Sequence, residues 1–333
     1  MKIYLKQKSY FTFRGKPSYE LDLLGETVFG FMFEGLNAEC GEPAEGEECV
    51  ILEPVYPFLT REELFTFLDE REGSYSFAGG RVFRAGYQLS PSPRAETLSL
   101  GRGLFSLADY PYFLSRARKE SAKLHLARGA LVEDGAEVSF TAELRTGAIV
   151  RRGARVLGKS IVGENAEIGS GSELIDSVVG AGTVVKSSTL FQAEVGENCS
   201  VGPNAYLRAG SSIGNGCRVG DFVEIKNARI GDGTKIAHLA YVGDATLGKR
   251  VNVGCGVIFA NYDGRKKSAV TVGDDCFIGS NCNLIAPLTI GEGAFLAAGT
   301  TLTQNLEKED FCIGRCRETV KKGRGGAYYN PKK

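Results

Sequence analysis

The stretch Val195-Gly-Glu-Asn-Cys-Ser-Val201-Gly-Pro-Asn-Ala-Tyr-Leu207-Arg-Ala-Gly-Ser-Ser-Ile213-Gly-Asn-Gly-Cys-Arg-Val219 carries a branched aliphatic residue at every sixth position. This period matches neither an amphipathic helix, which repeats about every 3.6 residues, nor a strand, which alternates. It suits a parallel β-helix of triangular section, in which each face takes one repeat and the aliphatic side chain points inward. A small residue next to the aliphatic one lets the chain turn the corner.

The same spacing extends through most of the chain. It runs upstream from Val132 to Leu174 and downstream, with two one-residue slips, from Ile230 to Leu302. Three faces make a coil of about 18 residues, so 132–306 corresponds to about ten coils. The repeat therefore predicts a prism that occupies more than half of the chain.

Four segments follow from this repeat and from the composition around it. We expect a small α+β domain over 1–105, a linker helix over 106–130, a left-handed parallel β-helix over 131–310 and a basic tail over 311–333. Asp109 and Pro111 are typical of a helix start, so we expect the linker helix to begin there.

The first segment has its own local signals. Residues 16–75 hold 15 acidic residues against three basic ones. Thr60 and Glu63 form a capping box, which predicts a helix starting at Glu62. The alternating runs at Tyr75 and Arg81 predict strands.

The whole-chain composition excludes several classes of protein. Lys and Arg number 40, as do Asp and Glu, so this is no general polyanion binder, and we expect no nucleic-acid partner. The apolar runs are far shorter than the roughly 20 residues of a membrane span, so we expect no membrane partner. We find no signal peptide, and nine cysteines without a CxxC pair predict free thiols and a cytoplasmic protein.

The longest break in the repeat, 260–268, reads Ala-Asn-Tyr-Asp-Gly-Arg-Lys-Lys-Ser. A loop of this length is typical of a place where the prism binds something. His238 lies nearby and is the one histidine of the repeat, since the other is His125. A lone histidine is more often structural than catalytic, so its setting decides the interpretation.

Six runs around this histidine and loop resemble a known family. They are 202–208, 219–226, 238–244, 251–254, 261–264 and 297–300. Together they resemble the acetyltransferase domain of the bifunctional bacterial enzymes that make UDP-N-acetylglucosamine. The pieces His238-Leu-Ala-Tyr and Asn261-Tyr-Asp-Gly carry most of this specificity.

The resemblance implies transfer of an acetyl group from acetyl-CoA to the amine of an amino sugar phosphate, glucosamine 1-phosphate first of all. It places the catalytic base on His238, and imidazole is suited to deprotonating an amine near neutral pH. It also implies small-molecule substrates, a homotrimer and no metal. The residues that it assigns to the sugar phosphate are Arg208, Lys226, Tyr241, Asn252 and Lys267. Those that it assigns to acetyl-CoA are Cys255, Asn261, Tyr262, Ser280, Ala298 and Arg315. Cys255 departs from the family, which usually has alanine there.

The N-terminal segment lacks the features of the family's other domain, a nucleotidyltransferase. We find no glycine-rich phosphate loop in 1–105, and the positions of the two metal ligands fall on Val55 and near Phe105. Neither side chain offers an oxygen to Mg²⁺. We therefore interpret this segment as a truncated relic of a nucleotidyltransferase without uridyltransferase activity, a step that a separate protein could supply.

Alternative interpretations remain at this point. The chain could be a catalytically silent trimeric scaffold, although a scaffold has no reason to keep the whole set of site residues. It could also acetylate a different amino sugar. A prism-type carbonic anhydrase is excluded, because its zinc needs three histidines and the chain has two.

Overall fold

The structure is a computed structural model that describes residues 1–325 apart from 8, 10, 15, 25, 41–42, 45–48, 70–74, 78–79, 84–102 and 105. The chain divides into two compact units, Met1–Ser177 and Val178–Lys333. The first unit holds an N-terminal sheet, a long helix and the first coils of the repeat, and the second holds the remaining coils. No helix within the described ranges is long and apolar enough to cross a lipid bilayer.

The N-terminal sheet has five strands and confirms both strand predictions. In order they are Glu39–Cys40, Lys2–Leu5, Cys49–Leu52, Gly80–Phe83 and Tyr75–Phe77. The first three are parallel to one another, and the last two join by antiparallel pairing. The central strand is buried along its whole length, which explains its continuous apolar sequence. A separate small hairpin pairs Thr12–Phe13 with Lys16–Pro17.

Two of the three described α-helices of this unit begin at a threonine cap, Thr27 and Thr60. The three helices are Val28–Leu36, Arg61–Asp69 and Tyr110–Ala127, with 3₁₀ turns at Ser18–Glu20 and Leu107–Asp109. The Thr60–Glu63 capping box is confirmed. The Thr60 backbone N–H donates to Glu63 Oε2 at 2.9 Å, and the Glu63 N–H donates to Thr60 Oγ1 at 3.2 Å. The helix starts one residue before the predicted position.

The linker helix starts where the sequence predicts. Asp109 is its N-cap residue and Pro111 lies in its first turn, although the Asp109 side chain makes no hydrogen bond to the helix. The Asp109 carboxylate instead accepts from the backbone N–H of Ser106 at 3.0 Å and from the Ser106 hydroxyl at 2.9 Å. These two residues form a capping box for the 3₁₀ turn that leads into the helix.

The linker helix joins the N-terminal core to the first coil. Phe113 and Ala117 lie in an apolar cluster with Leu23 and Leu104. Further along, the Ser121 hydroxyl donates to the carbonyl of Val138 at 2.7 Å. His125 is fully buried, and this burial lowers its pKa, which is typical of a structural histidine.

The coils of the first unit follow the predicted period of six. Their strands are Leu131–Val132, Glu137–Val138, Glu143–Leu144, Ile149–Val150, Arg155–Leu157, Ile161–Val162, Glu167–Ile168 and Glu173–Ile175. The aliphatic residues from Val138 to Leu174 are buried as predicted, whereas Val132 in the first strand is half-buried. On the outside, Arg151 donates to Glu133 at 2.8 Å and to Glu167 at 2.9 Å. Side chains of opposite charge on three successive coils thus form a ladder on the outside of the prism.

Glu133 in this ladder predicts an acid-dependent stability. The backbone N–H of Arg152 and, after it, the side chain of Arg151 hold the pKa of Glu133 below its ordinary value. A lowered pKa in the folded state stabilises the fold above about pH 5, and this contribution is lost as the pH falls through the lowered pKa. Glu133→Gln should therefore reduce the loss of stability between neutral pH and about pH 4, measured as urea midpoints by circular dichroism. Asp134→Asn is the control, because the Asp134 side chain is 90% exposed. Equal acid sensitivity of wild type and Glu133→Gln would contradict the assignment.

The second unit holds the remaining coils, with three parallel strands in each complete coil. One face carries Val178–Val179, Glu194–Val195, Ser212–Ile213, Arg229–Ile230, Ala245–Leu247, Val270–Val272 and Leu288–Ile290. The next carries Val184–Val185, Ser200–Val201, Arg218–Asp221, Lys235–His238, Asn252–Val253, Phe277–Ile278, Phe295–Leu296 and Phe311–Cys312. The third carries Thr189–Phe191, Tyr206–Leu207, Glu224–Lys226, Tyr241–Gly243, Ile258–Ala260, Asn283–Ile285 and Thr301–Leu302. This is the hexapeptide-repeat β-helix that the sequence predicts.

The core of these coils contains the predicted aliphatic side chains and three that the simple period misses. Val179, Val185 and Leu190 are fully buried although the spacing from Val179 to Val185 to Leu190 is six and then five residues. The corner residues within the five-residue steps before Val179 and before Leu190 take positive φ angles, 47° at Asp176 and 39° at Ser187.

Candidate active site

His238 lies at a corner of the prism, at the end of the strand Lys235–His238. Its partner in the parallel register is Asp221 on the preceding coil. His238 Nδ1 lies 4.0 Å from Asp221 Oδ2, and the two side chains are 54% and 46% exposed. The imidazole is therefore accessible to a substrate, with a carboxylate beside one of its nitrogens.

Three cations of the predicted site lie near one another beside the neighbouring face. Lys267, by direct side-chain contact and by its charge, lowers the pKa of Lys226, and the charge of Arg208 adds to this effect. Arg208 donates to Glu224 at 2.7 Å, and this bond raises the pKa of the guanidinium. Like charges repel one another, so the two lysines are suited to binding an anion, which would reduce their repulsion.

Tyr241 and Asn252 extend this region on two faces. Tyr241 pairs with Glu224 on the same face as the cations. Its hydroxyl lies over Gly243, where an added Cβ would be 2.3 Å from the oxygen, so any larger residue there would displace the ring. Asn252 pairs with Lys235 on the strand that carries the catalytic candidate His238. Tyr241 thus lies with the cations and Asn252 with the histidine.

The loop between Ala260 and Val270 begins with a fixed residue. The side chain of Asn261 is buried, and its Nδ2 donates to Asp244 Oδ2 at 2.5 Å. The same carboxylate accepts from Asn227 Nδ2 at 2.7 Å through its other oxygen. Asp244 therefore anchors the loop to the coil of the cations. Sequence reasoning missed it, although the regular spacing of 227, 244 and 261 marks one corner of the prism.

The exposed part of the loop is a short turn. Tyr262 and Lys267 form an antiparallel bridge, and Asp263 Oδ1 accepts the backbone N–H groups of Arg265 and Lys266, each at 2.8 Å. Tyr262 is 59% exposed, and its hydroxyl donates to the carbonyl of Gly264. The turn brings Lys267 to Lys226 but leaves the Tyr262 ring open to solvent.

Three of the residues that the resemblance assigns to acetyl-CoA, Cys255, Ser280 and Ala298, lie in successive coils along one corner, the column that starts at Asp221 and His238. Asn261 and Tyr262 instead belong to the corner of Asn227 and Asp244. Backbone hydrogen bonds of 2.8–3.1 Å join the coils along the column. They run from Leu239 N to Asp221 O, Gly256 N to Leu239 O, Asn281 N to Cys255 O and Gly299 N to Ser280 O. At the far end, Arg315 Nη1 donates to the carbonyl of Ala298 at 2.8 Å. Neighbouring coils of parallel sheet are about 4.8 Å apart, so this corner offers a straight path of several coils to an extended ligand.

Two further observations concern other possible sites in the protein. A polar groove lined by Gln192, Glu194, Ser212 and Arg229 contains none of the predicted site residues. Among the residues that the structure describes, no group of three or more His, Cys, Asp or Glu side chains could hold a metal ion.

Sequence comparisons match the coils to known transferases. Residues 192–227 match the bacterial transferase hexapeptide (six repeats), and residues 269–304 match the hexapeptide repeat of succinyl-transferase. The bifunctional protein GlmU of Clostridioides difficile is 42% identical over 208 residues, 62% of this chain and 45% of that protein. GlmU of Staphylococcus haemolyticus is 41% identical over 60% of this chain and 45% of that protein. GlmU of Carboxydothermus hydrogenoformans is 46% identical over 49% and 37%.

The chain thus spans less than half the length of the curated relatives that it matches. The resemblance found in the sequence is confirmed: over about 60% of its length, this chain is similar to the bifunctional GlmU proteins, and it carries the hexapeptide repeat of bacterial transferases.

Proposed function

We propose that this protein is an N-acetyltransferase that moves the acetyl group of acetyl-CoA to the amine of an amino sugar phosphate, with glucosamine 1-phosphate as the acceptor. The observation that carries the proposal is the contact between Lys226 and Lys267 next to Arg208. A phosphate dianion would neutralise this repulsion and accept several charge-assisted hydrogen bonds. The GlmU relatives support the same reaction class.

The chemistry assigns one role to each part of the site. The phosphate binds the three cations, and the sugar ring lies against Tyr241 and Asn252. This brings the amine to His238, whose imidazole removes its proton as the nitrogen attacks the thioester carbonyl. Acetyl-CoA extends along the column of Cys255, Ser280 and Ala298.

The N-terminal segment supports the absence of uridyltransferase activity. Val55, the position of the family's metal-binding aspartate, is fully buried in an apolar cluster with Ile3, Met32 and Leu52. A buried apolar side chain cannot ligate a magnesium ion. Phe105, the other position in question, lies outside the described residues. We therefore propose a single activity, with a separate protein for the uridyltransferase step.

Two further parts of the proposal concern assembly and compartment. We propose a homotrimer, and the exposed aromatic stack of Phe277, Phe295 and Phe311, with ring centroids 4.7 and 5.3 Å apart, supports it as apolar surface available to a partner subunit. We also propose a cytoplasmic protein, in keeping with nine cysteines that are all free thiols.

Lys226→Ala tests the phosphate site. Because two other cations remain, we expect a rise of about tenfold in KM for glucosamine 1-phosphate and little change in KM for acetyl-CoA. Activity with unphosphorylated glucosamine should change by less than twofold. Lys249→Ala is the matched control, since Lys249 is an exposed lysine paired with Asp232 at 3.2 Å. Equal losses with the phosphorylated and unphosphorylated sugars would overturn the phosphate assignment.

A further inference from the structure

We propose that Asp221 is a positioning residue for His238: its carboxylate accepts the Nδ1–H of the imidazole and leaves Nε2 free to take the proton of the substrate amine. This inference rests on the proposed acetyltransferase function. Asp221 is not among the residues that the resemblance assigns to the site. The structure brings it to the histidine by stacking two coils.

The two residues occupy equivalent places in these coils. Each ends a four-residue strand, whereas the strands immediately before and after them on this face have two residues. The residues that follow, Phe222 and Leu239, both turn the corner with positive φ angles of 56° and 47°. The carboxylate and the imidazole therefore leave the backbone at the same corner of the prism.

A close backbone approach sets the spacing of the pair. A Cβ on Gly220 would lie 1.9 Å from the carbonyl oxygen of Ala237, so the coils can approach to this distance only with glycine at that position. Gly220 precedes Asp221 and Ala237 precedes His238. The packing of the two coils thus fixes the carboxylate beside Nδ1.

The charged and titratable groups around the imidazole come from its own coil and from the two adjacent coils. Asp221 and Arg218 lie on the preceding coil, Lys235 lies on the histidine's own strand, and Cys255 lies on the following coil. Of these groups, Asp221 is the carboxylate that can accept the Nδ1 proton and stabilise an imidazolium.

With this pair, each proton that moves in the proposed reaction has a donor and an acceptor. The ammonium first gives one proton to solvent. The neutral amine nitrogen then bonds to the thioester carbonyl carbon, and one of its two remaining protons moves to Nε2. The tetrahedral adduct then collapses, the C–S bond breaks, and the Nε2 proton goes to the departing thiolate to give free CoA. The Nδ1 proton stays between the ring and Asp221 throughout, so the imidazole returns to its starting tautomer.

The separation of 4.0 Å is longer than a hydrogen bond. Hydrogen bonds of catalytic groups are often long without ligand and shorten in the substrate complex. Both side chains are about half-exposed and have room for this movement. We therefore expect the contact to become a hydrogen bond when the acceptor binds.

Two substitutions separate charge from hydrogen bonding. Asp221→Ala removes both, and Asp221→Asn keeps an oxygen acceptor but removes the charge. We expect kcat to fall about tenfold or more in Asp221→Ala and less in Asp221→Asn, with KM for both substrates within about twofold. Asp275→Asn is the matched control, because it removes a carboxylate that pairs with Arg250 away from this corner.

A spectroscopic measurement tests the pair without any reaction. The chain has two histidines, so selective ¹³C,¹⁵N-histidine labelling gives two ring signals, and the His238→Ala spectrum assigns them. We expect neutral His238 to carry its proton on Nδ1 in the wild type and to shift toward the Nε2–H form in Asp221→Ala. The reverse tautomer in the wild type, unchanged in the variant, would overturn the proposal. So would an active wild type with unchanged kcat in Asp221→Ala. An inactive wild type with the expected tautomer would instead count against the proposed function alone.

Discussion

His238→Ala should reduce kcat for acetyl transfer by about 10²–10⁴, the usual contribution of a positioned general base. The sugar amine is largely protonated near neutral pH and cannot attack a thioester until its proton is removed. In the proposed site the substrates bind to the cations and to the column of Cys255, Ser280 and Ala298, so KM should change little for either substrate.

The fold should tolerate this change. The side chain is 54% exposed, so its removal leaves no cavity, and the melting temperature should stay within a few degrees of the wild type. Thr246→Ala is a suitable control. Thr246 is exposed, and its strand, Ala245–Leu247, lies on a different face of the prism from the strand of His238. A loss below about threefold in folded protein would remove His238 from the role of base.

Arg315→Ala should raise KM for acetyl-CoA by about ten- to a hundredfold and leave kcat nearly unchanged. Its guanidinium already reaches the end of the column through its bond to the Ala298 carbonyl. A guanidinium bound to a phosphate of CoA contributes about 1.5–3 kcal/mol. That contact is remote from the reacting atoms and is the same in ground and transition states, so it acts on KM.

The neighbouring tail provides the control for this prediction. Arg317→Ala removes an exposed arginine two residues further on and should leave KM for acetyl-CoA within about twofold. Equal effects of Arg315→Ala on both substrates, together with dissociation of the oligomer, would show that the tail holds subunits together. The cofactor role of Arg315 would then be wrong.

The repeat made most of the prism predictable from the sequence. The aliphatic positions from Val138 to Leu174 are buried because a period of six leaves one inward side chain for each face. Val179 and Leu190 were missed because three five-residue steps between Leu174 and Val195 take the aliphatic residues out of the period of six. The start of the linker helix was predicted, but the 3₁₀ turn before it and the capping box of Ser106 and Asp109 were not.

The residues of the candidate site also divide into those that the sequence predicted and those that it missed. The resemblance led to Arg208, Lys226 and Lys267, and the structure brings them together. Asp221 and Asp244 were missed because their partners lie 17 residues away, one coil further along. These residues come into contact only because successive coils stack on one another. The number of residues in a coil changes wherever the repeat slips, so the sequence separation of two stacked residues is not constant.

The most direct test of the central claim is an assay of CoA release by the purified wild-type protein with acetyl-CoA and a panel of acceptors. The panel contains glucosamine 1-phosphate, glucosamine 6-phosphate, glucosamine and N-acetylglucosamine 1-phosphate, and mass spectrometry identifies the products. We expect one N-acetylated sugar phosphate per CoA released, with glucosamine 1-phosphate giving the highest kcat/KM and the already acetylated sugar giving no product. Folded protein that releases no CoA above background with any amino sugar phosphate would contradict the account.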